Sequence, residues 1–488
     1  MHLDGGGAHG NYINSGGSIR MQDVYIIGVD TIKFGKYIDK SIKDLAAMTV
    51  AGCLQDAGLA KDKIQALWFS NAGWGEKGQT TIRGQVALKP MGIDGIPITN
   101  VENACAGGST ALHHAWLGVA GGLYDITMAV GAEKLYQANK MATFMGFLGG
   151  IDVENVLNII HGLSVFELTQ ADKEAMERFK QRYQNLAPSS NGGKKKTKDQ
   201  ESLWKKFKDR FTVAIMMGEK VGYDTMWQLA RLSSGDHSPF MDVYGYAARQ
   251  HMQRFGTTIE QLAVVASKNH FNSTLNPNAQ YRFEVPVEKV LADRIVTWPL
   301  TRAMCAPIGD GAASAILCTK DMVKKLGLSK QAVRVRASIL GSGKKTSFDS
   351  PEPEIGERLA GLAYERAAVG PEDIGVAEVH DATAFGEIVQ AENLGFCPKG
   401  EGGRLAEQGA TRLDGIIPIN PSGGLTSRGH PIGASGLAQI HELVTQLRGG
   451  AGQRQVRKAK LAMAENGGGA LGTEEAAMGI HILEAPSR

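Results

Sequence analysis

The chain has no pair of cysteines at Cys-x-x-Cys spacing, and its five cysteines (Cys53, Cys105, Cys305, Cys318 and Cys397) are odd in number and far apart. That argues against a disulfide framework or a zinc knuckle and points to a reducing, cytoplasmic compartment. No uncharged apolar run reaches the ~18 residues a membrane-spanning helix needs, so no membrane span is expected. Charge of one sign is also lacking: 53 Lys and Arg stand against 50 Asp and Glu, a net +3. Such balance does not suit nucleic acid or a membrane surface as the main partner. Residues 1–20, rich in Gly and His, have no apolar signal-peptide core and read as a disordered leader or expression remnant. Met21 is the expected start of the fold.

Glycine, in contrast, is abundant: 62 of 488 residues, nearly twice the usual share of roughly 7%. The glycines cluster, which predicts tight turns and close backbone approaches. The length predicts two or more domains. Strand patterns such as Val24–Val29, Ile64–Phe69 and Ile126–Gly131 alternate with helical ones such as Ser41–Gly58, the signature of an α/β fold. From about 139 to 255 the pattern changes to an inserted, mostly helical lobe, broken by the polar, lysine-rich tract 189–198. Regular alternation then returns and closes at Gly309–Leu317, giving a first half of 21–330 and a second of 331–488. The halves repeat one another. Val369–Val379 parallels Gly58–Trp68, and Cys105-x-x-Gly108-x-x-x-Leu112 parallels His430-x-x-Gly433-x-x-x-Leu437.

That second pair carries the chemistry. Cys105 lies between an extended segment and a helical run, among small neighbours (Asn103-Ala-Cys-Ala-Gly-Gly-Ser-Thr-Ala-Leu112). A helix N-terminus there would favour the thiolate, the nucleophilic form of cysteine, and so predicts a lowered pKa. Pseudo-twofold packing of the halves would bring His430, in Ser427-Arg-Gly-His-Pro-Ile-Gly433, to the thiol as its base. His380 follows the apolar run Ile374–Val379 at the mouth of a strand, where it could polarise a carbonyl or orient a water. Amides of the run Asn466-Gly-Gly-Gly469 could hold an oxyanion. The other four cysteines read as small core residues.

These motifs resemble the thiolase superfamily, and within it the sterol-carrier-protein-type thiolases. The resemblance spans about 21–483 and includes Lys268–Gln280, Gly309–Ser314, His380-Asp381 and Asn420–Leu437. It implies a thiolase fold, with two pseudo-symmetric halves in a five-layer αβαβα core. It further implies an acyl-CoA acyltransferase that makes or cleaves 3-oxoacyl-CoA through a cysteine thioester. Cys105 would be the nucleophile, His430 its activator and His380 the stabiliser of enolate and thioester oxygens. Gly467 would supply an amide of the second oxyanion hole. No cofactor or metal is expected; acyl-CoA and CoA are the expected ligands, and a homodimer or tetramer the assembly. One departure stands out. Where such enzymes carry a second cysteine, this chain has Glu465 (Glu-Asn-Gly) and Ala382 (His-Asp-Ala), which makes Glu465 a candidate replacement acid/base. Alternatives are a ketosynthase-like condensing enzyme, a retro-aldol lyase, or a non-catalytic acyl-CoA-binding partner of a small zinc-bearing OB-fold subunit.

Overall fold

The computed structural model describes residues 21–74, 78–136, 148–150, 168–184, 239–344, 352–457, 459–471 and 474–486. The expected leader 1–20, the tract 189–198 and most of the lobe 139–255 lie outside the described residues. In chain order the first half contributes β1 (Val24–Thr31), α1 (Ile42–Ala57), β2 (Ala66–Ser70), β3 (Ile98–Val101), α2 (Gly107–Ala120) and β4 (Ile126–Lys134). The helices α3 (Gln170–Phe179), α4 (Pro239–Phe255) and α5 (Ile259–Thr274), a hairpin of β5 (Ile295–Thr297) and β6 (Leu300–Thr301), and β7 (Asp310–Thr319) follow. The second half has β8 (Val333–Ser342), α6 (Ile355–Ala367), β9 (Val376–Glu378), α7 (Ala384–Asn393), α8 (Ser435–Leu447), β10 (Leu461–Gly468) and β11 (Ala477–Glu484).

Every residue of β7 and β10 is buried, and all but the last of β4, which is why these strands read as apolar or small runs rather than alternating ones. The strands order as β3-β2-β4-β7-β1 and β8-β11-β10-β9, joined through a short antiparallel pairing of β1 with β8 at Val24–Ile26. Ile419 bridges in parallel to Ala377 of β9 just as β3 pairs with β2. The two half-sheets therefore repeat one topology.

The cores follow from this layering. Leu112, Trp116 and Val119 of α2 pack with Leu437, Ile440 and Val444 of α8 in a central helical layer. Leu45 and Val50 of α1 cover the outer face of the first half-sheet, and Leu359 and Ala363 of α6 that of the second. This is the five-layer arrangement. A fourth cluster joins Leu262 and Val265 of α5 to Phe385 and Ile388 of α7.

The repeat is present, but not in the register the motifs suggest. Helix α1 ends on Gly58 at φ 63° and α6 on Ala368 at φ 53°, both left-handed, so Gly58 matches Ala368 rather than Val369. The 3-10 turns Ala104–Ala106 and Ile432–Ala434 lead into α2 and α8 alike, pairing Cys105 with Gly433 and Gly108 with Gly436. His430 thus stands one turn earlier, in the loop before its helix.

The two glycines mark where the central helices cross. A Cβ on Gly108 would sit 3.0 Å from the Leu437 amide, and one on Gly436 would sit 2.5 Å from the Ser109 amide. Backbone meets backbone there, so neither position tolerates a side chain. Gly436→Ala is expected to destabilise the fold by about 1–3 kcal/mol, read as a lower urea midpoint; an unchanged midpoint would mean the crossing can open without cost.

Candidate active site

Past β3 the chain turns at Ala104, whose φ of 47° is a left-handed backbone costly for a residue with a Cβ. Cys105 occupies the 3-10 turn that runs into α2, and no side chain caps that helix. Its own amide and that of Gly469 both donate toward its sulfur. His380 comes two residues after β9, and His430 from the loop before α8. The donor atoms of Cys105, His380 and His430 all lie within 4.8 Å of one another. The two imidazole rings meet edge-on, their centroids 5.2 Å apart. The structure therefore brings together the three reactive side chains expected from sequence. The same trio is the one group, among the described residues, compact enough for a metal ion.

Hydrogen bonding assigns the two histidines opposite tautomers. His430 Nδ1 lies 2.7 Å from Ser435 Oγ, and that hydroxyl donates to the Pro431 carbonyl at 3.0 Å. The hydroxyl must then accept from Nδ1–H, leaving His430 Nε2 as a base. At His380 the Asn466 amide Nδ2 donates to Nδ1 at 3.1 Å, so the hydrogen sits on Nε2. One imidazole is thus a base and the other a donor. Burial holds His380 down at about 4 and His430, with His380 beside it, well below its usual range, so both are neutral at pH 7.

The thiol departs from expectation. Burial, and then the nearby Glu102, push Cys105 up to about 12, outweighing the two amides that favour the anion. A neutral imidazole offers no charge to offset dehydration, so the resting site is thiol plus imidazole rather than thiolate.

The trio opens into a cavity of about 1080 Å³. Phe240, Tyr244, Tyr281 and Phe283 give it an aromatic lining, and Lys36, Arg83 and Lys289 are among its cations. Ala382 lines the wall with no thiol. Glu465 does not line it: fully buried, its carboxylate accepts the His380 amide at 2.8 Å, and burial raises it to about 8. Gly467 also differs from expectation, for its amide donates to Glu465 while Gly468 and Gly469 line the cavity. Sequence reasoning missed Ser435 and Asn466, both inside motifs it singled out, and Glu475, whose place depends on the β10–β11 hairpin.

Two measurements check this arrangement. In protein carrying ¹⁵N-histidine, His430 should appear as the Nδ1–H form and His380 as the Nε2–H form. Asn466→Asp, which can only accept, should convert His380 alone to Nδ1–H. For the thiol, alkylation of Cys105 by iodoacetamide, followed by peptide mass, should rise about tenfold per pH unit from 7 to 9, as expected below a raised pKa. A plateau by pH 8 would instead reveal a preformed thiolate.

Comparison with known proteins supplies the family. The family model "Thiolase, N-terminal domain" matches residues 24–163, and "Thiolase C-terminal domain-like" matches 355–481. The acetyl-CoA acetyltransferase of Methanothermobacter thermautotrophicus is 34% identical over 466 residues, covering 95% of this chain and all of that protein. The benzoylsuccinyl-CoA thiolase subunit BbsB of Thauera aromatica is 32% identical, over 87% of this chain and 89% of that protein. Human sterol carrier protein 2 is also 32% identical, over 91% of this chain and 70% of its own length. Among solved structures, the Ltp2-ChsH2(DUF35) aldolase superposes with a TM-score of 0.67 at 18% identity, over 96% of this chain and 100% of that one. Human mitochondrial 3-ketoacyl-CoA thiolase in complex with CoA gives 0.57 at 15%, over 96% and 99%. Domain models over both halves, full-length relatives and a shared fold lead to one conclusion: the chain belongs to the thiolase family of acyltransferases.

Proposed function

We propose that this enzyme makes or cleaves a 3-oxoacyl-CoA by way of an acyl thioester on Cys105. The observation that carries the reading is a thiol within 4.8 Å of two neutral imidazoles of opposite tautomer, all lining one cavity. In the cleavage direction the Cys105 sulfur attacks the 3-keto carbon as its proton passes to His430 Nε2. The C2–C3 bond then breaks, and its electron pair moves to C2 and the thioester oxygen of the departing acyl-CoA. His380 Nε2–H suits that oxygen, and the amides of Cys105 and Gly469 suit the oxygen of the new Cys105 thioester. CoA then gives up its thiol proton, replacing the one delivered to C2, and attacks the Cys105 thioester. The leaving Cys105 sulfur regains its proton from His430.

The apolar lining suits an acyl group, and the cations suit the phosphates of CoA. A dimer or tetramer in a reducing, cytoplasmic compartment belongs to the same proposal, as does a small companion subunit. BbsB is named a subunit, and the aldolase is named with a DUF35 component, which supports looking for one here. Ala382 and Glu465, standing where a second cysteine falls in the family, favour two further readings: a decarboxylating condensation through the same Cys105 thioester, or a retro-aldol cleavage in the same cavity that needs no acyl-enzyme.

The test is mass spectrometry of the intact chain after mixing with acetyl-CoA. An acetyl adduct is expected on Cys105 and on no other cysteine. His430→Ala should slow its formation by about 10²–10⁴, whereas His380→Ala should act mainly on the carbon–carbon step. Equal losses in acylation alone would refute this division of labour, and no adduct in the wild type would refute the thioester.

A further inference from the structure

Neither position at which the family carries its second cysteine offers a thiol for the C2 proton, and Cys305, the other cavity-lining thiol among the described residues, donates to the Thr301 carbonyl at 3.4 Å. The cavity wall at position 382 is an alanine, and Glu465 lies off that wall, one of its carboxylate oxygens accepting the His380 amide. We infer that Glu475 is the general acid and base that delivers a proton to C2 in cleavage and removes it in condensation. The inference rests on the acyl-thioester reading above. Glu475 lines the same cavity as Cys105, His380 and His430. It approaches from the connection between β10 and β11, and the glycines at the end of β10 let it in. A Cβ on Gly467 would sit 2.8 Å from Glu475 Cγ. One on the next residue, Gly468, would sit 2.8 Å from the Cys105 amide and 2.3 Å from that of Ala106. Two successive glycines therefore clear space for the carboxylate and for the nucleophile's turn. Gly467, expected to donate an amide to the substrate, acts here by having no side chain.

The surroundings suit a proton carrier. The carboxyl accepts its own backbone amide, and Gln390 Nε2 lies 3.4 Å from Glu475 Oε1. Burial, with Glu354 and Glu474 nearby, raises the Glu475 carboxyl to about 7, so both its forms are populated near neutrality. Tyr244 lies beside the carboxyl, for burial raises its phenol well above the usual range, with Glu475 and then Cys105 adding to the shift. A carboxyl matched to the operating pH transfers protons well in both directions, directly or through one water. The atoms balance. In cleavage Glu475 gives its proton to C2, forming the C–H bond as the C2–C3 pair arrives, and it recovers a proton from the thiol of the incoming CoA. Condensation runs the same transfers backwards.

The test separates this inference from the functional reading. Exchange of the acetyl hydrogens of acetyl-CoA in D₂O reports removal of the C2 proton, and the acetyl adduct on Cys105 reports acylation. In Glu475→Gln exchange should fall by about 10²–10⁴, the usual worth of a positioned acid/base, while the acetyl adduct on Cys105 still forms, more slowly because Glu475 also returns the proton to the departing CoA sulfur. Glu475→Asp should recover part of the loss, and Glu465→Gln, which can still accept from the His380 amide, should exchange near the wild-type rate. An adduct with undiminished exchange in Glu475→Gln would overturn the inference and leave the thioester reading intact. So would a wild type that acylates without exchange, or loss of exchange in Glu465→Gln alone. No adduct in any form would overturn the reading on which the inference rests.

Discussion

The close crossing of α2 and α8 is the constraint on which the site depends. Each helix begins beside one reactive residue, and they can share a site only if the two backbones nearly touch. Gly108 and Gly436 make that contact possible, and the same need recurs nearby, where a Cβ on Gly131 would lie 2.1 Å from the Gly433 carbonyl. Glu133 ties the halves at this point, its carboxylate accepting the amides of Ala72, Gly73 and Gly433. Much of the glycine richness thus buys proximity between two chemistries carried by different halves.

The second half holds its histidines through buried polar contacts. Asp381 accepts the Leu425 amide at 2.6 Å and the Thr426 hydroxyl at 2.7 Å, pinning the loop before His430 to the residue after His380. Arg428 pairs with Glu378, and Lys268 with Glu387, at 3.1 and 2.6 Å. Breaking one partner of such a pair strands a charge in a dry interior, so these contacts fix position strongly even where they add little net stability. The same dryness keeps the thiol and both imidazoles neutral. In the proposed reaction, chemistry then starts from uncharged partners, and a proton moves only when the sulfur attacks.

Much of the fold was legible along the chain. The buried strands β4 and β7 appeared as short apolar or small runs, α1 appeared with its amphipathic pattern, and the restart at β8 marked the second half. Cys105, His380 and His430 were legible too, because each sits in a local motif of small or strand-ending residues. The register of the repeat was not. His430 and Gly433 lie three residues apart, and only the position of the following helix shows which of them matches Cys105. Gly467 and Glu465 were misjudged for a related reason, since residues alternate sides along a strand and what lies on either side is set by other segments.

By itself the sequence determined the layered α/β class and singled out Cys105, His380 and His430 as candidates, because propensity, pattern and motif are local properties. Tertiary structure alone decided the protonation states and the access. The tautomers depend on Ser435 and Asn466, the second brought to His380 from β10. The raised thiol depends on dehydration by both halves, and the presence of Glu475 rather than Glu465 at the cavity wall depends on how β10 and β11 pair. These are outcomes of distance and dielectric, and neither is written in the order of residues along a chain.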